Sequence, residues 1–170
     1  MKTLFDPTTA PIDALAAEPP LPTERLHPEW LRDRFRQPVD WTPEFTDEHV
    51  LRDTQRVPVP ASVLMPLVVR ENQISLLLTQ RTAHLHDHAG QISLPGGRVD
   101  SDDYDAVATA LRETEEEIGL SRRHIEVIGT LPDYFTGTGF QVTPVVGLVY
   151  PPRSEEHTSE LQSHSFISYA

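Results

Sequence analysis

The sequence has no cysteine, few basic residues and no long apolar run, and each of these deficits excludes a class of protein. Without cysteine there is no disulfide framework, no thiolate zinc site and no cysteine nucleophile. The 14 Lys and Arg against 26 Asp and Glu leave a net charge of −12, which disfavours nucleic acids and anionic membranes as partners. No segment approaches the ~20 apolar residues of a membrane span, and the N-terminus lacks a signal peptide's apolar segment. We therefore expect a soluble, cytoplasmic protein with one domain.

Proline is unevenly distributed and separates an N-terminal arm from the rest of the chain. Eleven of the 16 prolines precede residue 67. We interpret residues 1–60 as a proline-rich arm that contains a short helix over residues 27–35, with Trp30 and Phe35 on its packing edge. We expect this arm to cover either the core of the following domain or a partner chain in a homodimer.

Apolar patterns in residues 61–152 predict a mixed α/β domain. Turn-forming residues between the first two apolar runs indicate a hairpin, and Gly119 is a natural helix stop. Pro144 indicates an edge strand or a bulge. The predicted strands are 62–69, 74–79, 125–128 and 142–149, and the predicted helix is 104–118.

Residues 153–170 do not resemble the rest of this domain. Residues 153–163 resemble the translation of a common sequencing-library adapter, and residues 167–170 resemble its next fixed portion. Such scars are excluded from reasoning about a fold. We therefore expect an artefactual tail and a domain truncated near Pro152, with a genuine polar tail as the alternative.

Three glutamates share one side of the predicted helix, where they oppose its stability. Glu113 lies three residues before Glu116 and four before Glu117, near the C-terminal end that the helix dipole makes unfavourable for anions. A hard divalent cation explains this arrangement, because Mg²⁺ binds carboxylate oxygens. Gly96 and Gly97 permit close approach of the backbone, so a carbonyl there can join the ligands. A solvated acidic face is the alternative reading of the glutamates alone.

Together, the glycines and the helix resemble the Nudix box, G-x5-E-x7-R-E-U-x-E-E-x-G-U, in which U is aliphatic. Fourteen residues separate Gly97 from Arg112 where the pattern has thirteen. Counting forward from Gly97 places the first Glu of the pattern at Asp103, and counting back from Arg112 places it at Tyr104. Thr114 replaces an aliphatic residue, and its methyl group can still pack. The matching residues are Gly97, Arg112, Glu113, Glu116, Glu117, Gly119 and Leu120.

This resemblance implies a Nudix-like α/β/α sandwich that hydrolyses a nucleoside diphosphate linked to another group, with Mg²⁺ or Mn²⁺ as cofactor. The implied metal ligands are Glu113, Glu116 and Glu117, joined by Gly97. The implied catalytic residues are Glu113 and Glu116, together with Arg112. Arg112 is expected to orient the glutamates rather than to touch the substrate.

The preceding segment resembles the one that marks coenzyme A pyrophosphatases, L-L-T-x-R-S-x3-R-x3-G-x3-F-P-G-G. It implies cleavage of CoA or its derivatives to 3′,5′-ADP and (acyl-)4′-phosphopantetheine. His86 stands where the pattern has arginine, and histidine is mostly neutral at neutral pH, so phosphate binding there should be weaker and pH-sensitive. Phe140 could stack on adenine. The matching residues are Leu77, Leu78, Thr79, Arg81, Gly90, Pro95, Gly96 and Gly97, and the candidate substrate-binding residues are Arg81, His86, Gly96 and Phe140.

Two alternatives stay open at the level of sequence. The first keeps the chemistry and changes the substrate to NADH, ADP-ribose or another nucleoside diphosphate derivative. The second is a non-catalytic nucleotide-binding module, which the complete glutamate set disfavours. In each case the expected partner is a small nucleotide, with no nucleic acid and no membrane.

Overall fold

The computed structural model describes residues 21–37, 57–71, 73–80 and 91–151, and the backbone of a strand at 166–169. Within these residues one sheet of eight strands is accompanied by two α-helices and two short 3-10 turns. The strands are β1 (Val59–Arg70), β2 (Gln73–Gln80), β3 (Ile92–Ser93), β4 (Gly96–Arg98), β5 (Ile125–Thr130), β6 (Tyr134–Phe135), β7 (Phe140–Val149) and β8 (Phe166–Tyr169). The helices are α1 (Pro28–Arg36) and α2 (Ala106–Ile118), and the 3-10 turns are Thr23–Leu26 and Arg122–His124.

The sheet is mixed, as the sequence predicts. Its main order is β3-β2-β1-β7-β5, while β4 pairs with β1, β6 with β7 and β8 with β2. β1 and β7 run parallel, and the other pairs are antiparallel. The predicted hairpin is present as β1 and β2, with Leu67 opposite Leu76. Neither described helix combines the length and the apolar composition needed to cross a bilayer.

α2 covers one face of the sheet and is held there by two apolar clusters. Each buried Val or Leu contributes ~1.5–3 kcal/mol by its removal from water. These contacts fix the helix over β1 and β7, and with it the direction in which the residues of its outer surface point. The buried members are Leu64, Ala110 and Val145 in one cluster, and Val68, Ile118, Leu120 and Val149 in the other.

α1 packs on the opposite face of the sheet, at β5. Ile125 and Val127 pack towards the α2 side, so Glu126 between them faces away from α2. Arg32 Nε and Nη2 donate to the two carboxylate oxygens of Glu126 at 2.7 and 2.8 Å. Arg32 Nη2 also donates to Tyr150 Oη at 2.5 Å. The sheet therefore has a helix on each face.

An aromatic contact also fixes α1. Phe35 lies directly over Gly129 of β5, where an added Cβ would come within 2.5 Å of Phe35 Cδ1. The glycine therefore lets the phenyl ring approach the strand backbone. The short N-terminal helix predicted from the sequence is present, with Pro28 in its first turn.

Pro144 does not lie on an edge strand, which corrects one expectation. β7 lies between β1 and β5, and Pro144 is opposite Val63 of β1. On the other side of β7 the partner changes from β6, opposite Val142, to β5, opposite Val145. Leu131 N–H donates to the Pro144 carbonyl at 2.9 Å in this interval. The proline therefore lies at the change of partner, where its missing N–H is tolerated.

Candidate active site

α2 begins and ends at residues that suit helix caps. Asp105 is the N-cap, and its carboxylate accepts a hydrogen bond from Ala108 N–H at 2.7 Å. At the other end Gly119 adopts the left-handed conformation with φ 68°, and its N–H donates to the Glu115 carbonyl at 3.0 Å. The predicted helix is therefore confirmed, although it begins at Ala106 rather than at residue 104.

Thr114, which replaces an aliphatic residue of the Nudix pattern, is accommodated inside α2. Its side chain is fully buried, and its hydroxyl donates to the Ala110 carbonyl one turn earlier at 2.6 Å. This local bond satisfies the polar atom that burial would otherwise leave unpaired. The methyl group is buried with it, on the face that packs on the sheet.

Gly96 and Gly97, the glycine turn, lie against the glutamate side of α2. Gly96 has φ +154°, and an added Cβ would lie 2.6 Å from Val63 Cα, so no side chain fits there. An added Cβ on Gly97 would overlap the Glu113 carboxylate. Gly96 N–H donates to Glu117 Oε2 at 3.1 Å. The structure thus brings the glycine turn and two of the predicted metal ligands together.

Arg112 connects the glutamates with the loop that precedes α2. Its Nε and Nη2 donate to Asp103 Oδ1 and Oδ2 at 3.1 and 2.8 Å. Its Nη1 donates to Glu113 Oε1 at 2.9 Å and to Glu116 Oε2 at 3.2 Å. Nη2 also donates to the Arg98 carbonyl at 3.1 Å. All five N–H donors of the guanidinium are therefore engaged within the protein, which supports an orienting role for Arg112.

Asp103, rather than Tyr104, provides the carboxylate that Arg112 binds. The Asp103 side chain is 5% exposed and also accepts from Thr109 Oγ1 and Asp100 N–H, both at 2.9 Å. The Arg112 guanidinium, followed by these donors, holds the pKa of Asp103 well below its usual range. Tyr104 is 85% exposed. The extra residue of this box therefore falls after Asp103.

The candidate substrate-binding residues are only partly covered by the structure. Gly96 lies in the site, and the Phe140 ring lies under Arg98, with Arg98 Cζ 5.2 Å from its centroid. Arg81 and His86 lie outside the described residues. The sequence reading missed Arg98, although it is the one Lys or Arg between Arg81 and Arg112.

The segment that contains the sheet, the glycine turn and α2 matches a known domain. The NUDIX domain family model covers residues 58–169. The chain belongs to the Nudix family. Residues 58–169 make up more than half of its 170 residues, so the family is established by this match together with the box geometry.

Two relatives and one solved structure illustrate where this Nudix chain stands. Uncharacterized Nudix hydrolase NudL is 54% identical in Citrobacter koseri and 53% identical in Escherichia fergusonii, in each case over 100 residues. These matches cover 59% of this chain and 51% of the relative, so the chain spans about half the length of the curated relatives it matches. The crystal structure of the Nudix hydrolase RenU from M. smegmatis is 22% identical with a TM-score of 0.49, over 65% of this chain and 69% of that chain.

The donor set beside the glycine turn has the chemistry that a hard divalent cation requires. Nudix hydrolases generally use divalent metals. Glu113 and Glu117 offer carboxylate oxygens at the glycine turn, and Glu116 lies one residue before Glu117 on α2. Within the described ranges, no three acidic or histidine side chains are grouped closely enough to hold an ion. Glu113 and Glu116 instead both accept hydrogen bonds from Arg112 Nη1. Arg112 binds one oxygen of each carboxylate, Oε1 of Glu113 and Oε2 of Glu116, so the second oxygen of each is still available to a cation.

Proposed function

We propose that this Nudix domain hydrolyses the pyrophosphate bond of coenzyme A or a CoA derivative, with Mg²⁺ or Mn²⁺ as cofactor. Water adds to one phosphorus, the bridging P–O bond breaks, and the products are 3′,5′-ADP and (acyl-)4′-phosphopantetheine with release of protons. The observation that carries this proposal is the contact between the glycine turn and the glutamate side of α2.

Each part of the site has its own role in this proposal. Glu113, Glu116 and Glu117 would hold the cation together with the Gly97 carbonyl. A bound divalent cation polarises phosphoryl oxygens and offsets the charge of the leaving phosphate. Glu113 or Glu116 accepts the proton of the attacking water. Arg112 keeps the glutamates directed towards the glycine turn.

The choice of CoA rests on the segment that leads into the glycine turn. Residues 77–97 resemble the segment that marks coenzyme A pyrophosphatases. We assign Arg81 and His86 to the recognition of substrate phosphates, because the pattern has arginine at both positions and arginine binds phosphate through a fork of donors. Histidine is mostly neutral at neutral pH, so this recognition should be weaker than with arginine at the same position.

The test is hydrolysis by the full chain of CoA, NADH and ADP-ribose at equal concentration, with Mg²⁺, with Mn²⁺ and with a chelator. The products are separated by chromatography and identified by mass. We expect 3′,5′-ADP from CoA in the presence of either ion, no product with the chelator, and slower turnover of the other two substrates. Preferential cleavage of NADH or ADP-ribose would overturn the choice of CoA. Hydrolysis that the chelator does not reduce would overturn the metal dependence.

A further inference from the structure

Arg98 lies in β4, directly after the glycine turn of the candidate active site. Its backbone carbonyl is held by Arg112 Nη2 at 3.1 Å. Its side chain is exposed, with Cζ 5.2 Å from the centroid of the Phe140 ring, a distance at which a cation is attracted to an aromatic face. Within the described residues this stacking is the contact that positions the Arg98 side chain.

The Arg98 guanidinium and the glutamates lie on opposite sides of β4. Gly97 faces Glu113, and successive residues of a strand face opposite sides, so Arg98 points away from α2. The register of the sheet agrees with this direction. Arg98 is opposite Ala61 of β1, and Ala61 lies two positions from the β1 residue that is opposite Phe140. Arg98 therefore crosses β1 on the face away from α2 to reach Phe140.

The surroundings of Arg98 suit one anionic group on a partly apolar ligand. Arg112 has no donor left for a ligand, because all five of its N–H groups bind protein oxygens. Val59, Val99 and Tyr134 expose 40%, 41% and 38% of their surface at the same end of the sheet. A guanidinium next to such apolar surface matches a phosphate attached to a nucleoside.

We propose that Arg98, supported by Phe140, binds a phosphate of the substrate other than the two that are separated by hydrolysis. This inference rests on the proposed function of the site and names what selects its substrate. The glutamates and Arg98 lie on opposite sides of β4, and among the described strands β4 pairs with β1 alone, so in this proposal one ligand passes the other edge of β4 and presents a different group to each side. CoA carries a 3′-phosphate on its ribose, whereas NADH and ADP-ribose do not. Phe140 then supports Arg98 instead of stacking on adenine, which revises the role expected from the sequence.

The first test compares the binding of 3′,5′-ADP and 5′-AMP, which differ by the 3′-phosphate alone, by isothermal titration calorimetry. We expect the unaltered protein to prefer 3′,5′-ADP by about tenfold, the value of one charge-assisted contact. Arg98→Gln should abolish this preference, and Phe140→Leu should reduce it. Arg25→Gln is the matched control, because Arg25 forms a similar pair with Trp30 at 5.9 Å. This control should leave the preference unchanged.

The second test compares hydrolysis of CoA with that of dephospho-CoA. Arg98→Gln should raise KM for CoA about tenfold and leave KM for dephospho-CoA unchanged. Equal losses with both substrates, or no preference of the unaltered protein for 3′,5′-ADP, would overturn the proposal. Failure of the proposed function has a different signature, since neither substrate is then cleaved while the binding preference and its loss in Arg98→Gln persist.

Discussion

Arg112 donates a hydrogen bond to each carboxylate oxygen of Asp103, from Nε to Oδ1 at 3.1 Å and from Nη2 to Oδ2 at 2.8 Å. The same guanidinium reaches Glu113 and Glu116 through Nη1. The loop before α2 and the outer side of the helix are therefore joined by one side chain. We therefore expect a substitution at Asp103 to change the orientation of Glu113 and Glu116, although Asp103 does not contact them.

Asp103→Asn tests this connection. Asparagine keeps the size of the side chain but removes the charge that Arg112 pairs with, so the glutamates lose part of their orientation. We expect kcat for CoA to fall about 10- to 100-fold, as is typical for residues that position metal ligands, with little change in KM. Asp102→Asn is the control, since Asp102 is an exposed neighbour that accepts from Ser101. Unchanged kcat in Asp103→Asn at saturating metal and substrate would contradict the role.

Gly97→Ala tests the close approach of the glycine turn to α2. The added Cβ would overlap the Glu113 carboxylate and push it away from the turn. We expect Mn²⁺ affinity, measured by electron paramagnetic resonance of the free ion, to fall at least ~10-fold. The melting temperature should change little, because the end of a flexible side chain gives way. Mn²⁺ affinity equal to that of the unaltered protein would show that Glu113 is not a ligand.

The features that the sequence predicts correctly depend on residues close to one another in the chain. The period of α2, the turn between β1 and β2, and Gly119 act within a few residues, and each is found where it was expected. The partner of Arg112 could not be chosen in this way, because counting from the two ends of the box gives Asp103 or Tyr104. The choice depends on Asp100 and Thr109, which fold the loop so that Asp103 turns inwards.

Contacts that depend on strand order were beyond the sequence. Arg98 meets Phe140 because β4 and β7 flank opposite sides of β1, and this order is set by the packing of the whole sheet. Of the two alternatives for Pro144, the edge strand was wrong for a related reason. A proline lacks the N–H that would donate to a neighbouring strand. In β7 this missing donor falls where the neighbour changes from β6 to β5, and not at an edge of the sheet.

Glu126→Gln should reveal a stabilisation that depends on pH. Arg32 donates two hydrogen bonds to Glu126 and holds the pKa of this carboxyl below its ordinary value of 4.5. A lowered pKa stabilises the folded state above the ordinary value, and this contribution is lost as the pH falls through the lowered one. The melting temperature of Glu126→Gln should therefore lie below that of the unaltered protein above pH 4.5, and the gap should close as the pH falls below 4.5 through the lowered pKa.

The control for this titration is Glu29→Gln. Glu29 also faces Arg32, but at 3.6 Å and with 78% of its side chain exposed, so its effect should be smaller at every pH. A gap for Glu126→Gln that stays constant as the pH falls from 4.5 into strongly acid solution would exclude the Arg32 pair as its cause.

The contributions of the buried hydroxyl and the buried methyl group of Thr114 to stability can be measured separately. Thr114→Val removes the hydroxyl and restores the aliphatic type of the Nudix pattern, so we expect a change in unfolding free energy within about 1 kcal/mol. Thr114→Ser keeps the hydroxyl and leaves a methyl-sized gap, which should cost about 1 kcal/mol. Urea denaturation measures both variants. A larger loss in Thr114→Val than in Thr114→Ser would mean that the bond to Ala110 outweighs the packing.

The most direct test of a catalytic metal site on α2 compares Glu117→Gln with Glu115→Gln in the metal-dependent hydrolysis of CoA. Both changes remove one carboxylate charge from α2 without altering its length. Glu117 accepts from Gly96 in the glycine turn, whereas Glu115 pairs with Arg122 at 3.2 Å. We predict that Glu117→Gln loses at least ~100-fold in kcat/KM and that Glu115→Gln stays within about twofold of the unaltered protein. Equal activity of the two variants would contradict a catalytic metal site on this side of α2.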